Sequence, residues 1–262
     1  MKQRIITAII ALIVVIPFLI YGRWPFVLFG FLLATIGLYE LIAMRKLSQF
    51  AIPGIFAVLL LWTILARFDG DVVPYISMSK LEGAGLFILL LLAYTVFSKN
   101  KFTFEDAGFL AVSAFYVGMG FYYLIEARLY GLDYLLFIFF IIWATDSGAY
   151  FVGRSLGKRK LWPVISPNKT IEGAIGGIVI ALIVAVVFQL VHPFDYSIIS
   201  IIFIALLISV AGQVGDLVES AFKRHYGVKD SGKLLPGHGG ILDRLDSMIF
   251  VLPFLHFIHF IH

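Results

Sequence analysis

The stretch FIFFIIWATDSGAYFVG, residues 137–153, is an apolar and aromatic run that contains a single acid, Asp146. A helix needs about 20 apolar residues to cross the ~30 Å hydrocarbon core of a bilayer. The whole chain shares this character, because 61% of its 262 residues are hydrophobic and 14% are charged. In soluble domains about a quarter of the residues are charged. The composition therefore predicts a protein that lies in a membrane.

Nine apolar runs are candidates for membrane-spanning helices. They cover residues 5–21, 25–44, 51–66, 83–97, 107–125, 134–151, 173–191, 198–214 and 247–261. Several are short, so we expect them to extend into the flanking polar segments. The first run resembles a signal peptide, but no small-x-small cleavage site follows it, and we interpret it as a retained anchor. The predicted fold is all-α, a polytopic transmembrane helical bundle of about nine membrane-spanning helices.

Lysine and arginine are distributed unevenly between the two sides that these spans define. With the N-terminus in the cytoplasm, 16 of the 20 basic residues fall on the cytoplasmic side. The four on the other side are Arg23, Arg67, Lys80 and Arg128. Cytoplasmic loops of membrane proteins carry an excess of Lys and Arg. We therefore predict a cytoplasmic N-terminus and an external C-terminus.

Composition also narrows the class of function. The absence of cysteine excludes disulfides, thiolate metal sites and a cysteine nucleophile. The net charge of +4 is explained by basic cytoplasmic loops, so no nucleic acid partner is predicted. Acids at membrane depth are few before residue 130 and frequent after residue 140. We divide the chain into N-terminal scaffold helices, residues 1–130, and C-terminal helices that carry a cytoplasm-facing site, residues 131–262.

Five acids are predicted to meet at the cytoplasmic face. Asp146 lies toward the cytoplasmic end of its span, where an ionised carboxylate is costly unless it is paired or hydrated. Asp216 and Glu219 are three apart at the end of the eighth span, and their side chains can share one helix face. Asp243 and Asp246 repeat this spacing at the start of the ninth. Converging carboxylates repel unless protons or cations intervene, and oxygen ligands suit Mg²⁺. A divalent metal is the simplest explanation, with a structural role as the alternative for Asp146.

Basic residues alternate with these acids. They are Lys223, Arg224, Lys229, Lys233, His238 and Arg244. Donors of this kind would hold the other oxygens of metal-bound phosphates. Gly237, Gly239 and Gly240 would let the backbone approach a ligand closely. Singly, each basic residue has an alternative as a topological determinant or a lipid headgroup contact. Their density favours a phosphate site.

The loop before the seventh span predicts another phosphate contact. Ser166 and Pro167 resemble the N-cap and first residue of a helix, with Thr170 as a competing cap. Lys169 would add a full charge beside the helix N-terminus, and this combination suits phosphate. An ordinary capped helix with a topological lysine is the alternative.

Three other patterns receive a structural or accidental interpretation. Gly173 and Gly177, four apart on one helix face, favour close helix packing. GVKDSGKL, residues 227–234, nearly matches a P-loop, but Leu234 replaces the hydroxyl residue and no strand precedes it. Three histidines near the C-terminus fit interfacial anchoring better than a metal site, namely His256, His259 and His262.

The charged segment resembles the signature of the phosphatidate cytidylyltransferases, also called CDP-diacylglycerol synthases. The matching residues are Ser220, Lys223, Arg224, Lys229, Asp230, Gly232, Leu235, Pro236, His238, Gly239, Gly240, Asp243, Arg244 and Asp246. The segment SPNKTIEG, residues 166–173, is similar to that family as well. The resemblance implies transfer of CMP from CTP to phosphatidic acid, which yields CDP-diacylglycerol and pyrophosphate and requires Mg²⁺.

The resemblance and the residues together give a set of hypothesised roles. Metal ligands are Asp216, Asp243 and Asp246, with Asp146 and Glu219 nearby and a second cation compatible with so many acids. Catalytic residues are Asp216, Lys223, Arg224, Asp243, Arg244 and Asp246. Substrate-binding residues are Lys169, Ser220, Lys229, Lys233, His238, Gly239 and Gly240. We expect a multi-pass protein of the cell membrane that takes CTP from the cytoplasm and phosphatidic acid from the lipid bilayer. The oligomeric state is left open, a homo-oligomer included.

Two other functions remain open at this point. A CTP-dependent lipid kinase, or another phosphotransferase acting on a membrane alcohol, would need a carboxylate as base for its nucleophile. A secondary transporter of an anionic solute would also use intramembrane charge and glycine-broken helices. Charge is concentrated in the second half, however, with no matching pattern in the first half that would indicate an inverted repeat.

Overall fold

The structure is a computed structural model that describes residues 2–66 and 79–260. Over these ranges the chain forms nine helices and one hairpin of two short strands. The helices are α1 (Lys2–Tyr21), α2 (Arg23–Met44), α3 (Ala51–Leu65), α4 (Lys80–Phe97), α5 (Phe104–Tyr130), α6 (Leu132–Leu156), α7 (Ile171–Val191), α8 (Ile198–His225) and α9 (Leu242–Phe257). The strands β1 (Lys160–Trp162) and β2 (Ser166–Thr170) pair antiparallel between α6 and α7.

The prediction of a helical bundle is confirmed, since each predicted span corresponds to one of these helices. Six helices of the described part are long and apolar enough to cross a membrane, namely α2, α4, α5, α6, α7 and α8. The apolar part of α1 and the whole of α3 are shorter, and α9 has 16 residues. The count of nine spans and the side of the N-terminus stay predictions. Ile261, Arg67 and His262 lie outside the described residues.

The outer surface of the bundle is rich in large apolar side chains. Ile13, Leu89, Val112, Ile183 and Phe203 are all exposed, each on a different helix. Soluble monomers rarely expose contiguous apolar patches larger than a few hundred Å². Together with the six long apolar helices, this surface identifies a membrane protein.

Helices α6 and α7 pack closely because glycines line their contact. A Cβ atom on Gly177 would lie 2.6 Å from the carbonyl oxygen of Thr145, and one on Gly173 would lie 2.7 Å from that of Ala149. Both distances are far below van der Waals contact, so no larger residue fits without moving a helix. The prediction that these two glycines permit close helix packing is confirmed.

Helix α9 lies between α5 and α8 and is held tightly against both. A Cβ on Gly120 of α5 would lie 2.8 Å from the Cα of Ile249, and a Cβ on Gly215 of α8 would lie 2.9 Å from the carbonyl oxygen of Asp246. Because Gly215 precedes Asp216 directly, this contact brings the acids of α8 and α9 to the same level of the bundle.

The ends of several helices are also joined at that level. Arg45, which ends α2, donates to Oδ1 of Asp106 in the first turn of α5, through Nε at 2.9 Å and through a terminal nitrogen at 2.7 Å. Burial opposes the charge of Arg45, but hydrogen bonds with Tyr226 and Asp106 hold its pKa above the ordinary value. The end of α8 meets the start of α9 through a bond from Lys223 to Asp243. One end of the bundle therefore brings together Arg45, Asp106, Lys223 and Asp243.

The segment before α7 differs from the predicted helix start. Residues Ser166 to Thr170 form β2, with Trp162 paired to Ser166 and Lys160 to Thr170. The prediction that Ser166 and Pro167 begin a helix is wrong, because proline keeps the residue before it in an extended conformation and the hairpin uses that conformation. Thr170 is the N-cap instead, since its hydroxyl accepts from Gly173 N at 3.1 Å.

Candidate active site

The structure brings the five predicted acids into one chain of neighbours. Asp146 of α6 interacts electrostatically with Asp216 and Asp246. Glu219 interacts with Asp246 and Asp243. These acids come from α6, α8 and α9, so separate helix ends converge as the sequence indicated. Carboxylates that converge in this way repel one another unless cations or protons lie between them.

Lys169 supplies one of these cations. Its Nζ lies 2.6 Å from Oδ2 of Asp216, and the Oδ1 atom of the same carboxylate accepts from Ser220 Oγ at 3.3 Å. Lys169 lies on β2, one residue before the N-cap of α7. The hairpin rather than the first turn of a helix therefore carries this lysine to the acids.

Lys223 supplies a second cation and is largely buried. Its Nζ lies 2.8 Å from Oε2 of Glu219 and 2.7 Å from Oδ1 of Asp243. The side chains of these two acids are 1% and 4% exposed, so both depend on the lysine for neutralisation. Glu219 Oε1 is buried and has no hydrogen-bond partner within the described residues.

Asp243 organises the loop between α8 and α9, residues 226–241, which we call the signature loop. Its Oδ2 atom accepts from Ser231 N at 2.7 Å, Ser231 Oγ at 2.9 Å and Gly240 N at 2.8 Å. The backbone turns tightly here, because Leu235 and Gly239 exchange hydrogen bonds and Gly239 has a φ of 90°. A side chain at residue 239 would be strained, and its Cβ would collide with Asp243.

The donor chemistry of the acids fits a hard divalent cation, which prefers carboxylate oxygens. Glu219 Oε1 is buried and accepts from no donor among the described residues, and Glu219 neighbours Asp246, so a proton or a cation between the two carboxylates would satisfy it. In the described part of the chain, no group of three such side chains is arranged around a common point as a metal site. Lysine ammonium groups lie against Asp216, Glu219 and Asp243 instead. On Asp243, Oδ1 faces the ammonium group of Lys223 and Oδ2 accepts from three donors, so an ion would have to share this carboxylate with them.

The signature loop encloses a cavity of about 530 Å³, which we call the loop cavity. Its charged and polar lining includes Lys229, Asp230, Lys233, His238 and Arg244. Gly239 contributes backbone to the same lining. His238 Nδ1 is buried and has no hydrogen-bond partner among the described residues. The structure thus brings most of the predicted phosphate-binding residues to one basic concavity.

A second cavity of about 410 Å³ lies between α6, α7 and the hairpin, and we call it the hairpin cavity. Asp146, Asp216 and Lys169 line it, together with the exposed Tyr150 and Arg154 of α6. The two cavities have no lining residue in common. Of the predicted basic residues, Lys169 lines the hairpin cavity, four line the loop cavity, and Lys223 and Arg224 line neither.

Arg224 and Gly240 have contacts that the sequence did not indicate. Arg224 Nε donates to the carbonyl oxygen of Ile165 at 3.2 Å, which ties the end of α8 to the hairpin. Gly240 lies against the carboxylate of Glu40, where a Cβ would collide.

Sequence reasoning missed two side chains next to the site. Glu40 of α2 is 4% exposed and bonds to the signature loop. Tyr116 of α5 has a buried hydroxyl close to Asp246 and Glu219. A lone carboxylate inside an apolar run was the available signal for Glu40. No pattern distinguishes Tyr116 from the other aromatic residues of the spans.

Comparison with known proteins gives a consistent result over the full chain. Residues 2–262 match the profile of the cytidylyltransferase family. A phosphatidate cytidylyltransferase of Bacillus subtilis is 53% identical over 259 residues, covering 98% of this chain and 96% of that protein. Proteins of the same name from Staphylococcus haemolyticus and Staphylococcus aureus are 51% and 48% identical, each over 257 residues and 98% of both chains. The resemblance carried by the signature residues is confirmed.

Proposed function

The chain belongs to the cytidylyltransferase family, and from this we infer that it transfers CMP from CTP to phosphatidic acid. The products are CDP-diacylglycerol and pyrophosphate, and the reaction is a step of phospholipid biosynthesis. The observation that carries this conclusion is the identity of about 50% to phosphatidate cytidylyltransferases over nearly the whole chain. Nothing in the comparisons favours a lipid kinase or a transporter.

In the reaction, a phosphate oxygen of phosphatidic acid forms a bond to the α-phosphorus of CTP. The bond from that phosphorus to the oxygen that links it to the β-phosphorus breaks, and pyrophosphate leaves with the electron pair. A phosphate monoester has its second pKa at about 6, so the nucleophile is already mostly dianionic near neutral pH. No strong general base is needed, and the protein must chiefly align the reactants and neutralise charge.

The acids are proposed to hold Mg²⁺. Asp216, Asp243 and Asp246 would be the ligands, and Asp146 and Glu219 lie beside them. The bound ion would neutralise phosphate oxygens and the developing charge on the leaving group. A second cation is compatible with five acids. The support is the convergence of oxygen donors and the unpartnered Glu219 Oε1.

The basic residues are proposed to hold the two substrates in the two cavities. The loop cavity suits the triphosphate of CTP, because Lys229, Lys233, His238 and Arg244 line it. The backbone at Gly239 can approach those phosphates closely. The hairpin cavity suits the headgroup of phosphatidic acid, because Lys169 meets the acids there beside the exposed, apolar surface of α6. Lys223 lines neither cavity and bridges Glu219 and Asp243.

The protein is proposed to lie in the cell membrane with this site toward the cytoplasm. The positive-inside distribution supports that orientation, since the site end carries most of the lysines and arginines. CTP would arrive from the cytoplasm, and the acyl chains of the lipid would stay in the bilayer. The bacterial relatives support the cell membrane as the location.

The assay that tests this function uses purified protein in detergent with phosphatidic acid, Mg²⁺ and each of the four nucleoside triphosphates. We expect CDP-diacylglycerol from CTP and label in the lipid from α-³²P-CTP. Label from γ-³²P-CTP in the lipid would instead identify a kinase. Absence of any product in detergent, followed by solute uptake into vesicles, would identify a transporter.

A further inference from the structure

Glu40 is a buried acid of the N-terminal half that reaches the signature loop. Its Oε1 accepts from Ile241 N at 2.8 Å, and its Oε2 accepts from Leu242 N at 3.0 Å and is 2.8 Å from Ser231 Oγ. A carboxylate inside a span is costly unless such donors satisfy it. Two donors from the signature loop and one from the first residue of α9 make Glu40 a specific partner of this segment.

The two backbone groups that Glu40 accepts from belong to the start of α9. The first N–H groups of a helix have no partner within the helix and are normally satisfied by a capping side chain. The N-cap residue of α9 is Ile241, which has no side chain able to cap. Glu40 therefore supplies from α2 the cap that the local sequence does not provide.

Two glycines of the signature segment fit around the Glu40 carboxylate. A Cβ on Gly232 would lie 2.5 Å from Glu40 Oε1, and a Cβ on Gly240 would collide with the same atom. Neither glycine has a positive φ, so backbone conformation does not require glycine at either position. The space that the carboxylate occupies is the physical reason for both.

The bonds of Glu40 continue to Asp243. Ser231 Oγ lies 2.8 Å from Glu40 Oε2 and 2.9 Å from Asp243 Oδ2, and Ser231 N donates to Asp243 at 2.7 Å. The single hydroxyl hydrogen can go to one carboxylate at a time, so the two acids share this serine. A side chain that holds Ser231 and Leu242 in place therefore also holds the carboxylate of Asp243 in place.

We propose that Glu40 is a positioning residue that anchors the signature loop and the first turn of α9, so that Asp243 and the loop cavity face the substrates. The inference rests on the proposed role of Asp243 and of the loop cavity in the reaction. Glu40 lines neither of the two cavities in which the substrates are proposed to bind. It couples the N-terminal helices to the site, and this gives the first half of the chain a part in catalysis.

The test compares Glu40→Gln with a matched control at the same end of the bundle. Glutamine keeps the shape of the side chain but replaces one acceptor oxygen with an NH₂ group, so at least one loop donor loses its partner. We expect kcat per folded molecule to fall roughly 10- to 100-fold, as a displacement of about 1 Å can produce. The KM for CTP should rise, while the KM for phosphatidic acid stays near the wild-type value.

The control is Asp106→Asn, which weakens the pair with Arg45 at the same end of the bundle; Arg45 reaches the signature loop at its first residue, Tyr226, and bonds to neither Glu40 nor Asp243. We expect it to lower the melting temperature about as much as Glu40→Gln while kcat per folded molecule stays unchanged. Equal losses of kcat in both variants would show a general effect of folding and would overturn the proposal. Wild-type kcat in Glu40→Gln would overturn it as well.

Hydrogen exchange provides a measurement that does not depend on turnover. Without substrates, Glu40→Gln should speed amide exchange in the peptide that contains Ile241 and Leu242, whereas Asp106→Asn should not. Unchanged exchange there would overturn the anchoring role. Activity retained in Asp243→Asn, together with faster exchange in Glu40→Gln, would show instead that the proposed role of Asp243 has failed.

Discussion

At the scale of single residues, the charge balance of the site depends on Lys223. Its ammonium group is the shared partner of Glu219 and Asp243, two carboxylates with almost no exposure. Removing one partner of a buried ion pair leaves an uncompensated charge and typically costs about 3–5 kcal/mol. The same lysine is a proposed ligand of phosphate. Stability and the proposed binding of phosphate therefore involve the same side chain, and variants must separate the two.

Lys223→Met is expected to lower the melting temperature and to abolish turnover, because it leaves both acids unpaired. Adding Glu219→Gln removes one of those charges and should recover part of the lost stability, but it should not recover activity. Thermal unfolding in detergent and a radiolabel assay measure the two effects. Recovery of turnover in the double variant would exclude Lys223 from the chemistry.

Asp246→Asn is expected to reduce turnover by roughly 10²-fold or more, because loss of a central metal ligand removes charge stabilisation of the transition state. The protein should stay folded and inserted, since asparagine has nearly the same volume as aspartate. Asp243→Asn should also reduce turnover and stay inserted, but it should lower the melting temperature because it removes a buried partner of Lys223. Measuring activity over a range of Mg²⁺ concentrations tests whether the loss of turnover comes from weaker metal binding. Activity close to wild type at low Mg²⁺ would remove the substituted residue from the proposed metal site.

At the scale of elements, the hairpin and the α6–α7 contact set the position of Lys169. The glycines of α7 let the two helices approach until backbone atoms touch, and β2 then carries Lys169 to Asp216. Glu172, in the first turn of α7, holds the residues that precede β1, because its Oε2 accepts from Lys158 N at 3.0 Å and Arg159 N at 3.1 Å. A change in the spacing of α6 and α7 would therefore move Lys169 relative to Asp216.

Gly177→Ala is expected to destabilise the protein, because the added Cβ would lie 2.6 Å from a backbone oxygen of α6. The matched control is Gly85→Ala in α4, where a Cβ meets nothing within 4 Å. There alanine should be neutral or stabilising by about 0.5–1 kcal/mol, the usual preference for alanine in helices. The melting temperatures of the two variants, each compared with that of the wild type, test this difference in stability. Equal melting temperatures would show that α6 and α7 separate at no cost.

At the scale of the whole molecule, periodicity and charge predicted more of the fold than of the site. The length of the apolar runs located every helix of the described residues, because a helix must be long and apolar to cross a bilayer. Helix ends carrying acids predicted the convergence of Asp146, Asp216 and Asp246. The sequence could not show that Lys169 lies on a strand, since capping patterns and short hairpins use the same polar residues. Nor could it pair Glu40 with a loop about 200 residues away, because that contact depends on tertiary packing alone.

The orientation of the molecule can be tested cleanly because the chain has no cysteine. Lys101 and Asp195 are exposed in loops separated by α5, α6 and α7, so an odd number of spans should place them on opposite sides. A membrane-impermeant maleimide should label Asp195→Cys in intact cells, and Lys101→Cys only after the membrane is permeabilised. The reverse pattern would place the site outside, where CTP does not reach it. Labelling of both from one side would mean that one of these three helices does not span the membrane.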